Sequence, residues 1–388
     1  MKNNHTPDIR FPGFTGDWEQ CKLEEILKVN SGRDYKHLEQ GNIPVYGTGG
    51  YMLSVNDKLS DKDAIGIGRK GTIDNPRLLK APFWTVDTLF YMTTKEKNDL
   101  LFCYSLANKI HWKKYDESTG VPSLSKSSID NISICIPTSE EQSKVGNFFK
   151  QFDDTIALHQ QELTILKQTK KGFLQKMFPK EGESVPEVRF TGFSGDWEER
   201  KLGEMMDVTS VKRIHQSDWT NKGVRFLRAR DIVAASKNEE PSDYLYISVD
   251  KYNEYSKVSG KVSKGDLLVT GVGSIGVPML VTDDKPIYFK DGNIIWFKNE
   301  YKIDGDFFYY SFGNNKIQKY IRDVAGIGTV GTYTIDSGKK TPISLPSFEE
   351  QTKIGNFFKQ LDATIALYQH ELNTLKETKK AFLQKMFT

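Results

Sequence analysis

The chain has 388 residues and a net charge of +3, with 37% hydrophobic and 27% charged residues. This composition is typical of a globular protein and excludes a wholly disordered chain, and the length suggests two or three domains. No run approaches the ~18 apolar residues of a membrane span, and the first residues lack the apolar stretch of a secretory signal. The cysteines are Cys21, Cys103 and Cys135, an odd and widely spaced set. This excludes a disulfide framework or a paired-cysteine zinc site and favours a cytoplasmic protein.

The chain contains a long internal repeat. The segment Pro7–Val29 matches Pro186–Val208 without gaps at an offset of 179 residues. A longer segment, Pro137–Phe178, matches Pro346–Thr388 at an offset of 209 residues. A period this long indicates a duplicated domain rather than a solenoid.

Two inserts, Asn30–Ile136 and Thr209–Leu345, lie between the matched segments and align poorly, and the second is 30 residues longer. A repeated frame around two different inserts favours one architecture that carries two different recognition surfaces. A duplication whose middle parts have simply diverged is the alternative.

The first insert is predicted to mix strands and a helix. Short apolar runs rich in β-branched and aromatic residues predict strands, and a helical spacing of apolar residues follows them. The predicted strands are Ile43–Tyr46, Ala64–Ile67, Leu89–Met92 and Asn131–Ile136, and the predicted helix is Asp99–Tyr115.

The repeated segment after each insert is predicted to be one long helix of about 40 residues. Each begins after a proline with a capping-box sequence, Thr138–Glu141 or Ser347–Glu350, in which the glutamate is expected to reach back to the N-cap. Gly146, Gly172 and Gly355 are the weak points of these helices. Apolar residues recur in alternating steps of four and three. The seam positions are Val145, Phe149, Phe152, Ile156, His159, Leu163, Leu166, Lys170, Phe173 and Met177, then Ile354, Phe358, Leu361, Ile365, Tyr368, Leu372, Leu375, Lys379, Phe382 and Met386.

This heptad pattern predicts an antiparallel coiled coil of the two helices, with one globular unit at each end. His159 and Tyr368 are interpreted as packing residues of the seam. Lys170 and Lys379 are expected to extend toward solvent or to set the register.

The second insert repeats the mixture, with predicted strands at Asp266–Thr270, Pro278–Val281 and Ile294–Phe297 and helical spacing in Gly305–Arg322. The whole chain is therefore predicted to be α+β. The predicted domains are a first recognition domain (1–137), a long helix (138–178), a polar linker (179–185), a second recognition domain (186–346) and a second long helix (347–388).

A GxGxxG sequence occurs in each insert, at Gly66–Gly71 and at Gly271–Gly276. A dinucleotide site needs a helix immediately after this loop, and neither following sequence favours one. A glycine-rich hairpin turn is the plainer reading. A loop whose backbone approaches a nucleic-acid phosphate is the other, because Arg69 and Lys70 lie on the first copy.

Basic and aromatic residues are interleaved in both inserts, and polar glycine-rich loops accompany them. Such side chains suit phosphates and base edges, although a charged cluster is often only a solvated face. The predicted DNA-binding residues are Arg33, Tyr46, Thr48, Gly49, Tyr51, Arg69, Lys70, Lys113, Lys114, Ser118, Thr119, Ser123, Lys212, Arg213, Arg228, Arg230, Ser274, Lys319, Arg322, Thr329, Thr332 and Tyr333.

Signals of catalysis are weak. The sequence has no nucleotide-binding GxxxxGK[ST], no HExxH and no GxSxG, and methyltransferase motifs are absent. Asp283 and Lys285 form a D-x-K of the kind found in many nucleases, but so short a match arises often by chance. No catalytic residue and no metal site are predicted.

The chain resembles the specificity subunit of type I restriction–modification enzymes over essentially its whole length. The resemblance is carried by RFPGF at Arg10–Phe14, RFTGF at Arg189–Phe193, IPVYGTGG at Ile43–Gly50, GVPSL at Gly120–Leu124 and EEQ at Glu140–Gln142.

The resemblance implies two target-recognition domains that each read one half of a bipartite, asymmetric DNA site, with the helices setting the gap. It implies double-stranded DNA, two methyltransferase subunits and restriction subunits as partners. It also implies a non-catalytic chain without a cofactor, since S-adenosylmethionine would serve the methyltransferases and ATP and Mg²⁺ the restriction subunits. A self-contained nuclease or methyltransferase and a purely structural adaptor are the alternatives.

Overall fold

A computed structural model describes residues 5–237, 239–326 and 331–387 and divides the chain into two compact units. Unit 1 comprises residues 1–162 and 368–388, and unit 2 comprises residues 163–367. The strands of unit 1 are β1 (Glu19–Lys22), β2 (Leu27–Ser31), β3 (Gln40–Gly47), β4 (Gly50–Val55), β5 (Ala64–Gly68), β6 (Arg77–Leu79), β7 (Trp84–Thr85), β8 (Leu89–Thr94) and β9 (Ser133–Ile136). Its helices are α1 (Leu23–Ile26), α2 (Leu100–Lys109), α3 (Lys126–Asp130) and the first part of α4 (Ser139–Lys176), with a 3-10 turn at Trp112–Tyr115.

The strands of unit 1 form one isolated pair and two larger sheets. β1 pairs with β9, so the segment before the insert and the segment after it are joined. One sheet is antiparallel in the order β2-β8-β5-β6, and the other has the order β4-β3-β7 with a parallel β3–β7 pair. The predicted helix Asp99–Tyr115 is divided, because α2 ends at Lys109 and the separate 3-10 turn follows.

Unit 2 has the same plan with more elements. Its strands are β10 (Glu198–Lys201), β11 (Asp207–Thr209), β12 (Trp219–Thr220), β13 (Val224–Leu227), β14 (Leu245–Ile247), β15 (Leu267–Thr270), β16 (Pro278–Leu280), β17 (Ile287–Phe289), β18 (Ile294–Lys298) and β19 (Pro342–Leu345). Its helices are α5 (Leu202–Met205), α6 (Ala229–Ser236), α7 (Val249–Ser259), α8 (Gly305–Ser311), α9 (Asn315–Ala325), α10 (Ile335–Lys340) and most of α11 (Phe348–Lys385), with a 3-10 turn at Gln216–Asp218.

The two inserts share one sheet and differ in the other. The antiparallel order β11-β18-β15-β16 repeats that of β2-β8-β5-β6, and β10 pairs with β19 as β1 pairs with β9. The second sheet of unit 2 has the order β12-β14-β13-β17, and α6 and α7 have no counterpart in unit 1. The predicted helix Gly305–Arg322 is two helices, α8 and α9, whose boundary is marked by Asn314 as the N-cap of α9.

The GxGxxG sequences are hairpin connections. β5 is followed by antiparallel β6, and β15 by antiparallel β16, so no helix follows either glycine loop. The hairpin interpretation is therefore confirmed, and a dinucleotide site of the Rossmann type is excluded at these loops.

Each long helix spans 38 residues, α4 running from unit 1 into unit 2 and α11 from unit 2 into unit 1. Every predicted seam position is buried or half-buried, which confirms the heptad assignment. In unit 1 the Phe148 and Phe382 rings are 5.2 Å apart, and in unit 2 the Phe173 and Phe357 rings are 5.2 Å apart. The start of each helix thus packs on the end of the other, so the pair is antiparallel and the predicted fold class is confirmed.

Two lysines of the seam form cross-helix ion pairs. Lys170 Nζ is 2.5 Å from Asp362 in unit 2, and Lys379 Nζ is 2.5 Å from Asp153 in unit 1. The two pairs are equivalent under the 209-residue offset. They favour one register of the seam, as polar groups at such positions do in coiled coils.

A buried ion pair joins the first repeated segment to the start of each long helix. Arg10 donates through Nε and Nη2 to the two carboxylate oxygens of Glu141, both at 2.7 Å, and Arg189 binds Glu350 with the same two distances. The glutamate side chains are only 1% exposed. In a capping box the glutamate carboxylate accepts a hydrogen bond from the N-cap backbone N–H. This part of the prediction is wrong for both helices, because Glu141 and Glu350 bind arginines instead.

The glutamine that follows each of these glutamates in the long helix holds the start of a second, shorter helix. Gln142 accepts from the backbone N–H of Asp99 and donates to the Pro137 carbonyl, and Gln351 does the same with Asp304 and Pro346. Asp99 and Asp304 are the N-caps of α2 and α8.

The helix glycines Gly146 and Gly355 lie where these caps approach the long helices. A Cβ on Gly146 would come within 2.6 Å of Asp99 Oδ1 and of the Phe102 nitrogen. Glycine is thus required there by close packing.

Prediction: the buried arginine. We expect Arg10→Met to lower the free energy of unfolding by about 3–5 kcal/mol, because it leaves the Glu141 carboxylate buried without its cation. The matched control is Arg200→Met, which breaks an exposed pair with Glu198 and should cost less than about 1 kcal/mol. Urea unfolding of both variants measures the difference. Equal, small losses would contradict a structural role for the buried pair.

Prediction: two helix glycines. Gly146→Ala should destabilise the protein by about 1–3 kcal/mol, since the new methyl group overlaps the α2 cap. Gly172→Ala on the same helix meets no atom within 4 Å and should stabilise it by up to about 1 kcal/mol. Thermal midpoints of the two variants should therefore move in opposite directions. A rise in both would show that the cap can yield to the methyl group.

Candidate nucleic-acid interface

The turn between β3 and β4 presents open backbone. Gly47 pairs with Gly50, so Thr48 and Gly49 form a two-residue hairpin turn, and Gly50 has a φ of +115° that favours glycine. A Cβ on Gly49 would meet no atom within 4 Å. Tyr51 is 64% exposed and Tyr46 is half-buried. These four predicted site residues thus share one hairpin end.

A second group of predicted residues is joined by backbone contacts. Lys70 and Ser123 form an isolated antiparallel bridge, and Leu124 donates its N–H to the Arg69 carbonyl at 2.9 Å. The loop that carries Ser118 and Thr119 therefore lies against the loop that carries Arg69 and Lys70.

Asp116 organises this loop pair. Its Oδ1 accepts the backbone N–H groups of Ser123 at 2.9 Å and Ser118 at 3.0 Å. The hydrogen bond from Ser123 contributes most, followed by that from Ser118, and together they lower the pKa of Asp116 below its usual value. The aspartate is therefore an anion that fixes the loop at neutral pH.

The predicted cations of unit 1 differ in their partners. Arg33, Arg69, Lys70 and Lys114 are exposed, and within the described part of the chain none of them forms an ion pair. Lys113 is paired with Asp74 at 2.7 Å, but this pair is at the surface and is worth little energy. The four unpaired cations are the ones most available to an external anion.

In unit 2 more of the predicted cations have internal partners. Arg213, itself exposed, pairs with the largely buried Asp291. Arg230 pairs with Asp243 and Lys319 with Glu181, both at the surface. Four further predicted residues of unit 2 are exposed, and among them the ammonium of Lys212 lies over the Tyr255 ring. These are Lys212, Ser274, Arg322 and Thr332, while Thr329 lies outside the described residues.

Two predicted site residues are structural. Tyr333 is 1% exposed and its hydroxyl is 2.5 Å from Thr341 Oγ1. The offset of 209 places Tyr333 at the position of buried Leu124, a signal by which the sequence could have identified it as a core residue. Arg228 is bound by Asp231 and Asp243 at the start of α6, with 16% of its side chain exposed. The prediction for Tyr333 is therefore wrong, because a side chain that is 1% exposed cannot contact DNA, whereas the prediction for Arg228 stays a prediction.

Two other arginines lie at these surfaces. Arg77 of β6 places Nη1 3.3 Å from the position of a Cβ on Gly50, beneath the β3–β4 turn. Arg225 of β13 stacks on Tyr244, with 3.8 Å between the guanidinium carbon and the ring centroid. Neither was among the predicted site residues. Arg225 lies in the same basic stretch as the predicted Arg228 and Arg230, a signal that could have identified it, whereas only the fold brings Arg77 to the glycine-rich turn.

Comparison with known proteins agrees with this architecture. Residues 15–168 and 194–377 match the family described as the type I restriction modification DNA specificity domain. The chain belongs to this family. The resemblance noted from the sequence is thereby confirmed, and the two matches correspond to the two copies of the repeat.

Individual relatives cover most of the chain. It is 27% identical over 361 residues to the type I restriction enzyme MjaVIII specificity subunit of Methanocaldococcus jannaschii, covering 87% of this chain and 79% of the relative. It is 25% identical over 370 residues to a putative type I restriction enzyme specificity subunit, S.HindORF215P, of Haemophilus influenzae, covering 91% and 90%.

Solved structures share the fold of this specificity family. The type I restriction–modification S subunit from M. genitalium superposes with a TM-score of 0.67 at 16% identity, covering 99% of both chains. A chain from a study of complex assembly and conformational transition in a type I system has a TM-score of 0.56 at 16% identity, covering 98% of this chain and 99% of its own.

The D-x-K sequence lies on an exposed loop of the specificity chain. Lys285 Nζ is 3.2 Å from Asp283, and the lysine side chain is 83% exposed. Among the described residues, no group of three histidine, cysteine or acidic side chains is placed to hold a metal ion. The same part of the chain has no helix that is both long enough and apolar enough to span a bilayer.

Prediction: phosphate contacts at the joined loops. We expect Arg69→Ala with Lys70→Ala to weaken DNA binding about equally for all sequences, because phosphate contacts carry no base information. The slope of log affinity against log salt should fall by up to ~2. Removing two charges from α4 instead, with Lys150→Ala and Lys171→Ala, is the matched control. Unchanged affinity and slope in the loop variant would remove this loop from the DNA-binding surface.

Proposed function

We propose that this chain reads a bipartite, asymmetric double-stranded DNA sequence, with each unit reading one half. The observation that carries the proposal is the contrast between the repeated segments and the inserts. The repeated segments make the same contacts twice, namely the Arg–Glu pair, the glutamine contacts to a helix cap and the Lys–Asp pair. The second sheets of the inserts, β4-β3-β7 and β12-β14-β13-β17, differ in strand order, and only unit 2 has α6 and α7. One frame that presents two different surfaces suits the reading of two different half-sites.

The repeated frame also suits paired protein partners. Two copies of one surface can bind two copies of one subunit, so we propose that two methyltransferase subunits dock on this chain and that restriction subunits, which translocate and cleave DNA, join them. The family match supports partners of this kind. The relatives named above are specificity subunits of type I enzymes.

The chemistry is assigned to those partners. We propose that this chain is non-catalytic and binds no cofactor, that S-adenosylmethionine serves the methyltransferase subunits, and that ATP and Mg²⁺ serve the restriction subunits. The complex would act in the cytoplasm, where the DNA is. The alternative of a self-contained nuclease or methyltransferase has no support from the family match.

The long helices are proposed to set the gap between the half-sites. Their seam has one favoured register, because Lys170–Asp362 and Lys379–Asp153 fix it in the two units separately. A helix rises ~1.5 Å per residue, so a change in helix length changes distance in defined steps.

Prediction: the helices as a ruler. We insert one heptad after Leu158 and one after Leu367, which are equivalent under the 209-residue offset, so that the seam pattern is preserved. This adds about 10.5 Å of helix, or about three base pairs at ~3.4 Å per pair. We expect a gap two to three base pairs longer, with both half-site sequences unchanged. Sequencing of methylated sites made by the complete complex measures both.

Each result has a defined meaning. A wild-type complex that methylates one continuous site would reject the bipartite proposal. An active heptad variant that keeps the original gap would show that other elements set the spacing. A four-residue insertion at the same places is the control, since it introduces a stutter that disturbs the seam and should reduce assembly.

A further inference from the structure

Two arginines, one in each unit, have a guanidinium that is held in place without an ion-pair partner. Most half-buried arginines of the chain are satisfied internally, as Arg10, Arg189 and Arg228 are. Arg77 and Arg225 are half-buried as well, but among the described residues neither forms an ion pair, and each has one buried nitrogen with no hydrogen-bond acceptor.

Arg77 lies beneath the glycine-rich turn of unit 1. Its strand, β6, pairs with β5, and Arg77 stands opposite Gly66. Its Nε is buried and unpartnered, whereas Nη1 and Nη2 are not among the buried unpaired atoms, and Nη1 is 3.3 Å from the position of a Cβ on Gly50. Replacement of Gly50 by a larger residue would crowd the guanidinium, so the glycine leaves room for it.

Arg225 is held in a different way in unit 2. It stands opposite Tyr246 in the β13–β14 pair, and its guanidinium is stacked on the ring of Tyr244, which is 46% exposed. Its Nη1 is buried and unpartnered. The stacking fixes the plane of the guanidinium next to an exposed aromatic edge.

The buried nitrogens, Arg77 Nε and Arg225 Nη1, are closed to a ligand, but among the described residues the other guanidinium nitrogens have no acceptor either. Nη1 and Nη2 of Arg77 and Nε and Nη2 of Arg225 are therefore the donors that a ligand could satisfy. The guanidinium offers two parallel N–H donors, which fit a pair of adjacent acceptors. Guanine presents such a pair, O6 and N7, in the major groove of DNA. A phosphate offers two oxygens too, but exposed cations such as Arg69 and Lys70 suffice for it.

We propose that Arg77 and Arg225 each bind the O6 and N7 of one guanine, one in each half of the DNA site. This inference rests on the proposed function, and it adds the residue and the base that carry specificity in each unit. The packing of each guanidinium holds the two donors in one orientation, which is the requirement for discrimination between base pairs.

The test compares Arg77→Gln and Arg225→Gln in the complete complex with the methyltransferase subunits. Methylation and binding are measured on a panel of DNA sites in which each half-site base pair is replaced in turn. For Arg77→Gln we expect a loss of roughly 5- to 150-fold discrimination at a single G·C pair, with the other half-site unaffected. Arg225→Gln should act likewise, at one G·C pair of the other half only.

Three controls separate this role from the alternatives. Lys97→Gln removes an exposed cation of the same unit that is not among the predicted DNA-binding residues, and it should leave every base preference unchanged. Thermal midpoints and assembly show whether a variant is folded. If Arg77→Gln does not assemble, Arg77→Lys keeps the charge and should still reduce discrimination, because an ammonium lacks the two-pronged geometry.

The outcomes are distinct. Equal weakening on all DNA sequences, with a salt slope lower by ~1, would make the arginine a phosphate contact and overturn the proposal. Full discrimination in both folded variants would overturn it too, as would a loss at an A·T pair. A wild-type complex that methylates no two-part site would reject the proposed function itself, and this inference with it.

Discussion

The buried arginine–glutamate pair is the constraint on which the frame depends. A carboxylate that is 1% exposed requires a cation and full hydrogen bonding, so Glu141 fixes Arg10 at the start of α4 and Glu350 fixes Arg189 at the start of α11. Because the arginine precedes the insert and the glutamate follows it, the pair closes the frame around an insert of any sequence. The β1–β9 and β10–β19 pairs close it a second time through backbone hydrogen bonds.

A closed frame explains how the two inserts can differ so widely. Both keep the four-stranded antiparallel sheet that packs on the frame, and they differ in the sheet beyond it, where unit 2 adds α6 and α7. The helix ends complete each core, since Met386 and Phe387 are buried in unit 1 and Met177 and Phe178 in unit 2. Variation is thus confined to surfaces that neither the frame nor the seam needs.

The charges at these surfaces fall into groups with different physical roles. Arg228 is part of a helix cap and cannot leave Asp231 without depriving a buried carboxylate of its cation. Surface pairs such as Lys113–Asp74 are weak enough to exchange a carboxylate for a phosphate. Arg77 and Arg225 are packed but unpaired, a combination that favours a single, oriented acceptor.

The sequence by itself determined the repeat, part of the shared sheet (β5 and β8 in unit 1, β15, β16 and β18 in unit 2), the hairpin nature of the glycine loops and the seam of the long helices, because each follows from a local period or from turn residues. It did not determine the partners of charged side chains. Glu141 has the spacing of a capping box yet binds Arg10, and Tyr333 lies in a polar loop yet is buried. Arg77 reaches the β3–β4 turn only through pairing of β6 with β5. Such contacts join residues that are distant in the chain, so only the tertiary structure could decide them.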